Sequence, residues 1–307
     1  MNPIVGIGEV LWDVYPDGRK VAGGAPFNFA FHCHQLGHPA AIVSRVGDDD
    51  LGRELRGRVR ELGLSDEHIQ TDRKLPTGTV QVSVDKAGQP TYTIGNNVAW
   101  DDMEWTTELA ELIRAAAVVC HGTLALRSRV SSQTILKAAH LKCGRGKEPG
   151  LVVYDVNLRA KCMVSEDAIR RAHWIKVNET EYPALEGCIE NAMDDDPWPL
   201  TQEGYFQYLR HLGAPEHQVW LVTRGAAGAE IVTEKAREAI RGIPAKVIDT
   251  VGAGDAFTAA MVCLHLEGRP LRECARFANH YAARVCEQPG GTPRIARREV
   301  EIAAFGQ

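Results

Sequence analysis

Short apolar runs rich in Val and Ile alternate with helical patterns along most of the chain, and this alternation restricts the fold more than any other feature. Residues 3–12 (PIVGIGEVLW), 40–47 (AAIVSRVG), 116–121 (AAVVCH), 150–157 (GLVVYDVN), 173–178 (HWIKVN) and 218–223 (QVWLVT) read as strands. Residues 26–37, 50–63, 131–141, 165–172, 179–186 and 201–212 read as helices, with Pro26 suited to a first turn and Gly37 and Gly63 to helix ends. Strands separated by helices specify an α/β fold, a mostly parallel central sheet with helices on both faces. Ligands of such sheets sit beyond the carboxyl ends of the strands.

Two stretches break the alternation. Residues 15–24 (YPDGRKVAGG) place a Pro-Asp-Gly turn between short β-like pieces. Residues 76–95 alternate apolar and polar side chains around DKAGQP, the pattern of a hairpin with one solvated face. Residues from about 14 to 24 and from about 75 to 100 are therefore expected to form a small β-sheet lid over the ligand edge. Residues 190–200 read as an exposed acidic loop.

Composition excludes several classes of function. The 307 residues carry a formal charge of −5 and no basic run, which argues against nucleic acid and anionic membranes as partners. A phosphate must then be met by local donors. Eight scattered cysteines without a CxxC pair imply a reduced, cytoplasmic protein without a zinc or disulfide frame. The run His32-Cys33-His34 sets its histidines on different helix faces, and a half-buried, satisfied pair is expected rather than a metal site. The N-terminus lacks the charged and cleavable parts of a signal peptide, and no apolar run is long enough to span a bilayer.

The chemistry concentrates at 249–257 (DTVGAGDAF). Gly252 and Gly254 flank Ala253 just before an apolar helix, so successive amides can converge at a helix N-terminus and hold an anion. Asp255 in the first turn is favoured in its ionised form by the helix dipole. It would accept a proton from a hydroxyl that attacks a group held by the amides. Asp at a helix start is also a common cap, so both readings stand on this segment alone.

A second glycine-rich segment, 22–30 (AGGAPFNFA), lies near the other end of the chain, with Gly37 and Gly47 at suitable distances beyond it. Together the two segments resemble the paired signatures of the ribokinase-like carbohydrate kinases, the PfkB family. Between them DVNLR (155–159), NETE (178–181) and TRGAAG (223–228) follow in family order. The resemblance implies one ribokinase-like domain over 1–307, an ATP-dependent sugar kinase, and most closely a fructokinase. Related kinases of 2-keto-3-deoxygluconate or nucleosides are the alternative, and an inactive sugar-binding homologue is the reading without catalysis. The implied cofactors are ATP and Mg²⁺, with K⁺ in some relatives. The implied partner, besides the sugar, is a second copy of the chain joined through the lid.

The same resemblance assigns residues. Gly252, Ala253 and Gly254 become the anion hole and Asp255 the base. Asp13, Gly23, Gly24 and Asn28 fall on the sugar side, and Arg159 offers a guanidinium to the phosphates. Asn178, Thr223, Gly225, Gly228 and Asn279 fall on the nucleotide side. Glu181 would act on Mg²⁺ through water, and Asp249 and Val251 align with positions that hold K⁺ in some relatives. The bland alternatives are a turn cap for Asp13, a helix start for Asn178 and Glu181, and a surface arginine for Arg159. Trp12, Phe27 and Trp100 are candidates for the sugar pocket or for the core. A dinucleotide fold is disfavoured, because Gly6-x-Gly8-x-x-Leu11 runs into a turn rather than a helix. No GxxxxGK[ST] phosphate loop is present.

Overall fold

A computed structural model describes residues 1–84, 90–143, 150–159, 162–193 and 199–306. The first half of the chain contains β1 (Ile4–Ile7), β2 (Leu11–Val14), β3 (Lys20–Gly23), α1 (Ala25–Gln35), β4 (Ala40–Gly47), α2 (Asp50–Glu61), β5 (Ile69–Asp72), β6 (Thr79–Val84) and β7 (Pro90–Ile94). It continues through α3 (Thr107–Ala115), β8 (Val118–Gly122), α4 (Arg129–Cys143) and β9 (Leu151–Asp155). The second half contains α5 (Glu166–Arg171), β10 (Trp174–Asn178), α6 (Tyr182–Ala192), α7 (Gln202–His211), β11 (Val219–Thr223), β12 (Gly228–Val232) and β13 (Arg237–Arg241). Three helices close the chain: α8 (Ala253–Leu266), α9 (Leu271–Cys286) and α10 (Arg297–Phe305).

Nine strands form the central sheet in the order β13-β12-β11-β10-β9-β8-β1-β4-β5. All neighbours from β5 to β11 are parallel, and β12 and β13 add an antiparallel edge. The chain runs outward from β1 to β4 and β5, then returns to β8 on the other side of β1. The sheet order thus reverses beside β1, and strands diverging there open a crevice at their carboxyl ends.

Strand alternation divides the core into two layers. Ile4, Val118, Trp174 and Leu221 pack with Phe29 of α1, Phe257 of α8 and Tyr281 of α9. Their chain neighbours turn to the opposite face, where Val5 and Val119 meet Ile113 of α3 and Ile135 of α4. There Ile175 and Trp220 meet Leu185 of α6 and Phe206 of α7. The Phe206 ring stacks on Trp220 at 4.4 Å between centroids. Burying one such side chain stabilises the fold by about 1.5–3 kcal/mol.

A separate sheet, β3-β2-β6-β7, matches the expected small sheet, with strands inside the 14–24 and 75–100 limits except for most of β2. The turn DKAGQP falls at 85–90, and 85–89 lie outside the described residues, as do 194–198 of the expected acidic loop. The apparent single strand at 3–12 is two. Gly8 breaks it with φ +151°, in a space where a Cβ would lie 2.7 Å from the Pro26 ring, and β2 then enters the small sheet. Asp13 is accordingly a small-sheet residue and does not end the first strand of the core.

The histidine pair also departs from expectation. His32 is fully buried, 3.0 Å from the Tyr281 hydroxyl and 3.0 Å from the Gly291 carbonyl, while His34 is exposed. Burial pushes the His32 imidazole down to about 4, and it is neutral at physiological pH. Trp12, Phe27 and Trp100 are buried core residues and are not among those that line the cavity at the N-terminus of α8.

Candidate active site

A cavity of about 700 Å³ lies between the small sheet and the N-terminus of α8, at the carboxyl ends of β1, β9, β10 and β11. Its position follows from the reversal of sheet order beside β1. Glu9 follows β1, Asn157 and Arg159 follow β9, Asn178 ends β10 and Thr223 ends β11. The small sheet contributes Leu11, Asp13, Val21, Gly23 and Val80 from one face. The other face carries Trp12, whose Nε1 donates to the Leu51 carbonyl of α2 at 3.0 Å. The best apolar residues of this sheet therefore face the cavity or α2.

Gly252 caps α8 in the left-handed region, with φ +75°, and a Cβ there would lie 2.6 Å from the Gly291 Cα. Only glycine meets both conditions without strain. The first-turn amides of α8 precede any helical carbonyl partner, which leaves them for an anion. The Ala253 amide donates to the Thr250 carbonyl at 3.3 Å, so Gly252 and Gly254 are the better donors of the expected three.

Asp255 is 8% exposed, and its Oδ2 accepts from Asn28 Nδ2 at 2.8 Å. Asn28 Oδ1 is buried without a protein partner. The Asp255 carboxyl is pushed up to about 6, by burial first and by Asp155 second, against the pull of Asn28, Lys176 and Arg159. The direction opposes the helix dipole, while the carboxyl stays mostly ionised at neutral pH as expected. A dipole contributes a few tenths to 1 kcal/mol at exposed sites, and removing a carboxylate from water outweighs that here. Asp13 is also raised to about 6, by burial against Arg159.

The remaining predicted residues divide into two groups. Gly23, Gly24, Arg159, Asn178, Thr223, Gly225, Gly228, Val251 and Asn279 all line the cavity. Asn279 Nδ2 donates to the Arg241 carbonyl at 3.0 Å and so fixes the wall that follows β13. Glu181 and Asp249 do not line it. Glu181 is 6% exposed, and its oxygens accept the Leu158 amide at 2.7 Å and the Asn178 amide at 2.9 Å. Asn178 Oδ1 returns the contact by accepting the Glu181 amide at 2.9 Å. These bonds fix the turn that leads from β10 into α6. Asp249 clamps the turn before α8, accepting from the Val251 amide at 3.0 Å and the Gly290 amide at 2.8 Å.

Glu9, Lys176 and Asn157 are among the cavity residues that escaped the sequence reading. Glu9 is 2% exposed, with Oε1 3.2 Å from the Ala25 amide and Oε2 unpartnered, and burial raises it to about 7. Lys176 is buried in β10 beside Gly254. Asn157 adopts φ +38°. A lysine within the apolar run WIKVN was the available signal, because a buried charge needs a partner.

A parallel sheet with a buried carboxylate at a glycine-capped helix start, under a covering β-sheet, is an α/β architecture compatible with phosphoryl transfer. The chain belongs to the pfkB family of carbohydrate kinases, whose family model matches residues 14–296, and it is a sugar kinase. Its similarity to "Probable fructokinase-3" of Arabidopsis thaliana is 30% identity over 98% of this chain and 90% of that protein. The fructokinase of Solanum tuberosum is 30% identical over 95% of this chain and 92% of its own length. Among solved structures, an uncharacterized sugar kinase from Pyrococcus horikoshii in complex with ATP shares 26% identity and a TM-score of 0.76 over 97% of each chain. Fructokinase with bound ATP from Xylella fastidiosa shares the fold, with a TM-score of 0.81 over 99% of each chain at 19% identity. Among the described residues no helix is long and apolar enough to cross a membrane.

The raised Asp255 carboxyl makes a prediction about stability. A carboxyl whose folded value exceeds its ordinary one binds its proton more tightly in the native state. Its stabilising contribution is therefore present at low pH and is lost as pH rises through about 6. Asp255→Asn removes the buried charge and is expected to raise Tm by several degrees at alkaline pH, with the gain vanishing near the ordinary carboxyl range. A Tm below that of the parent protein at alkaline pH would show that burial is not the dominant influence.

Proposed function

We propose that this ATP-dependent sugar kinase acts on fructose, passing the γ-phosphoryl group of ATP to a primary hydroxyl of the ketohexose. The observation that supports it most is the buried Asp255 carboxylate, oriented by Asn28 beside the amides of the α8 N-terminus. Binding alone needs no base at that point, which disfavours an inactive sugar-binding homologue. The charge balance of the sugar side favours a neutral acceptor. Glu9, Asp13 and Asp255 face two cations, Arg159 and Lys176, the second already paired with Asp155, so the carboxylate of a 2-keto-3-deoxy sugar acid would meet more negative than positive charge. The names of the relatives point the same way.

In this reading the sugar spans the smaller sheet, acting as a lid, and the start of α8, so the whole chain works as one catalytic unit. Asp13 accepts from sugar hydroxyls, and Gly23 and Gly24 let the backbone approach the ring. Asp255 takes the proton as the hydroxyl oxygen attacks, while the Gly252 and Gly254 amides hold the charge on the moving group. Arg159 meets the phosphates as a two-pronged donor. Asn178, Thr223, Gly225, Gly228 and Asn279 frame the nucleotide, beside the exposed Val247 and Ile248. Lid closure excludes water.

Mg²⁺ suits the phosphate end. The Glu181 side chain is buried and its oxygens already accept amides, so it would act on the ion through water, as a hard ion that keeps its hydration prefers. The ion would offset phosphate charge. K⁺ suits its site less well. The Cys286 carbonyl already accepts the Ile248 amide at 2.8 Å and the Asp249 amide at 3.2 Å, and the Gly291 carbonyl faces His32. These hydrogen bonds compete with a cation for the two carbonyls. Eight free thiols fit the reducing cytoplasm, where we place the enzyme. A homodimer formed lid to lid would cover the half-buried Val21 and Ile94 at the cavity mouth, and a single-chain mass by light scattering would overturn it.

Asp255→Asn is expected to lower kcat by about 10²–10⁴-fold with the fold retained. In the parent enzyme kcat/KM is expected to fall as pH drops through about 6, where Asp255 becomes protonated; a flat profile down to the ordinary carboxyl range would exclude it as the base. A panel of ketohexoses, aldohexoses, pentoses, sugar acids and nucleosides with ATP and Mg²⁺ is expected to give the highest kcat/KM for fructose, with equal rates in Na⁺ and K⁺. Preference for a sugar acid would reverse the charge argument, and a several-fold gain in K⁺ would show that the ion displaces those hydrogen bonds.

A further inference from the structure

Asp155 and Lys176 lie beneath the anion hole and have no role in the chemistry assigned so far. They are register partners on the adjacent parallel strands β9 and β10, so their side chains project to the same face. Lys176 Nζ donates to Asp155 Oδ1 at 3.0 Å, and the two residues are 5% and 4% exposed. The other Asp155 oxygen accepts from the Thr258 hydroxyl of α8 at 2.9 Å, which also lies 3.0 Å from the Gly254 carbonyl. Two strands are thereby tied to the first turn of α8.

The ammonium also lies directly against that turn. A Cβ added at Gly254 would come within 2.8 Å of Lys176 Nζ. Unlike Gly252, Gly254 has no positive φ. A side chain there would have to displace the lysine ammonium rather than strain the backbone. Lys176 borders the cavity, and the nearby carboxylates hold it protonated despite burial.

A buried ion pair kept only for packing is replaceable by neutral groups at little cost in stability. A fixed cation under an anion hole differs, because it favours negative charge in a water-poor site without reorganisation. We propose that Lys176 is a positioning residue whose ammonium, fixed by Asp155, reinforces the Gly252–Gly254 anion hole and stabilises the phosphoryl group in transfer. The inference rests on the reading of Asp255 as the base. The groups facing Asp255 are Asn28 from α1, Glu9 after β1, Asp155 from β9, Arg159 after β9 and Lys176 from β10.

The test is Lys176→Met alone and combined with Asp155→Asn, the second variant leaving no buried charge unpaired. Lys176→Met is expected to lower kcat by about 10²-fold, to leave the sugar KM nearly unchanged, and to move the acid limb of kcat/KM to higher pH. The double variant is expected to fold with a Tm near the parent value and to stay slow. Recovery of parental kcat in the double variant would overturn the inference, since the lysine would then serve only to neutralise Asp155. Should the single variant fail to fold, the double variant alone decides. Asp255→Asn, assayed alongside, separates the two readings: full activity there removes the base, whereas loss there with a fast double variant removes only the role of Lys176.

Discussion

A hydrogen bond from the Asn28 amide to the Asp255 carboxylate joins residues 227 positions apart, and the arrangement of the site depends on it. It requires α1 and α8 to lie side by side on one face of the sheet, with Phe29 and Phe257 in a shared core. It also requires the segment after α9 to pass close to both helices. Gly252 and Gly291 permit this, since a Cβ on Gly291 would meet Asn28 Nδ2 at 2.9 Å and one on Gly252 would meet Gly291. The two glycine-rich segments of the sequence are thus halves of one contact surface. The first orients the carboxylate that the second carries.

Electrostatically the site presents a paradox. Glu9, Asp13, Asp155 and Asp255 outnumber Arg159 and Lys176, yet the reaction brings in a polyphosphate. Segregation resolves it. The acids that burial raises, Glu9, Asp13 and Asp255, gather where hydroxyls are expected. Asp155 is spent on Lys176 and Thr258. The phosphate end is left to backbone amides and cations. Burial favours protonation of the same carboxyls that ligand binding is proposed to use, and this is the trade between stability and activity expected of a preorganised site.

The parallel sheet was legible because buried strands such as LVVYD and VWLVT interrupt helical spacing, and both signatures were legible because glycine before a helix has a distinctive chemistry. What escaped depended on distant partners. β12 and β13 carry charges that interrupt an apolar pattern, and Glu230 is buried there between Arg224 at 2.9 Å and Arg237 at 3.5 Å. The break at Gly8 depends on the ring of Pro26. The raised Asp255 carboxyl depends first on burial and second on Asp155, a hundred positions earlier in the chain. Local pattern gives the dipole of a helix but not the depth at which its first turn is buried.

The break at Gly8 carries a further consequence for specificity. Had β1 continued straight, Asp13 would belong to the rigid central sheet. Because β2 crosses into the smaller sheet, the proposed sugar-binding carboxylate is on one body and the proposed base on another. In the proposed reading, a sugar bonded to Asp13 and Asp255 together would draw the two sheets toward each other, whereas water at either carboxylate would not. Binding energy at the hydroxyls remote from the reacting one would thereby be used to assemble the site and exclude solvent. Sugar recognition and suppression of ATP hydrolysis would then share one structural cause, the turn at Gly8 that sends the chain from β1 of the central sheet into β2 of the small one.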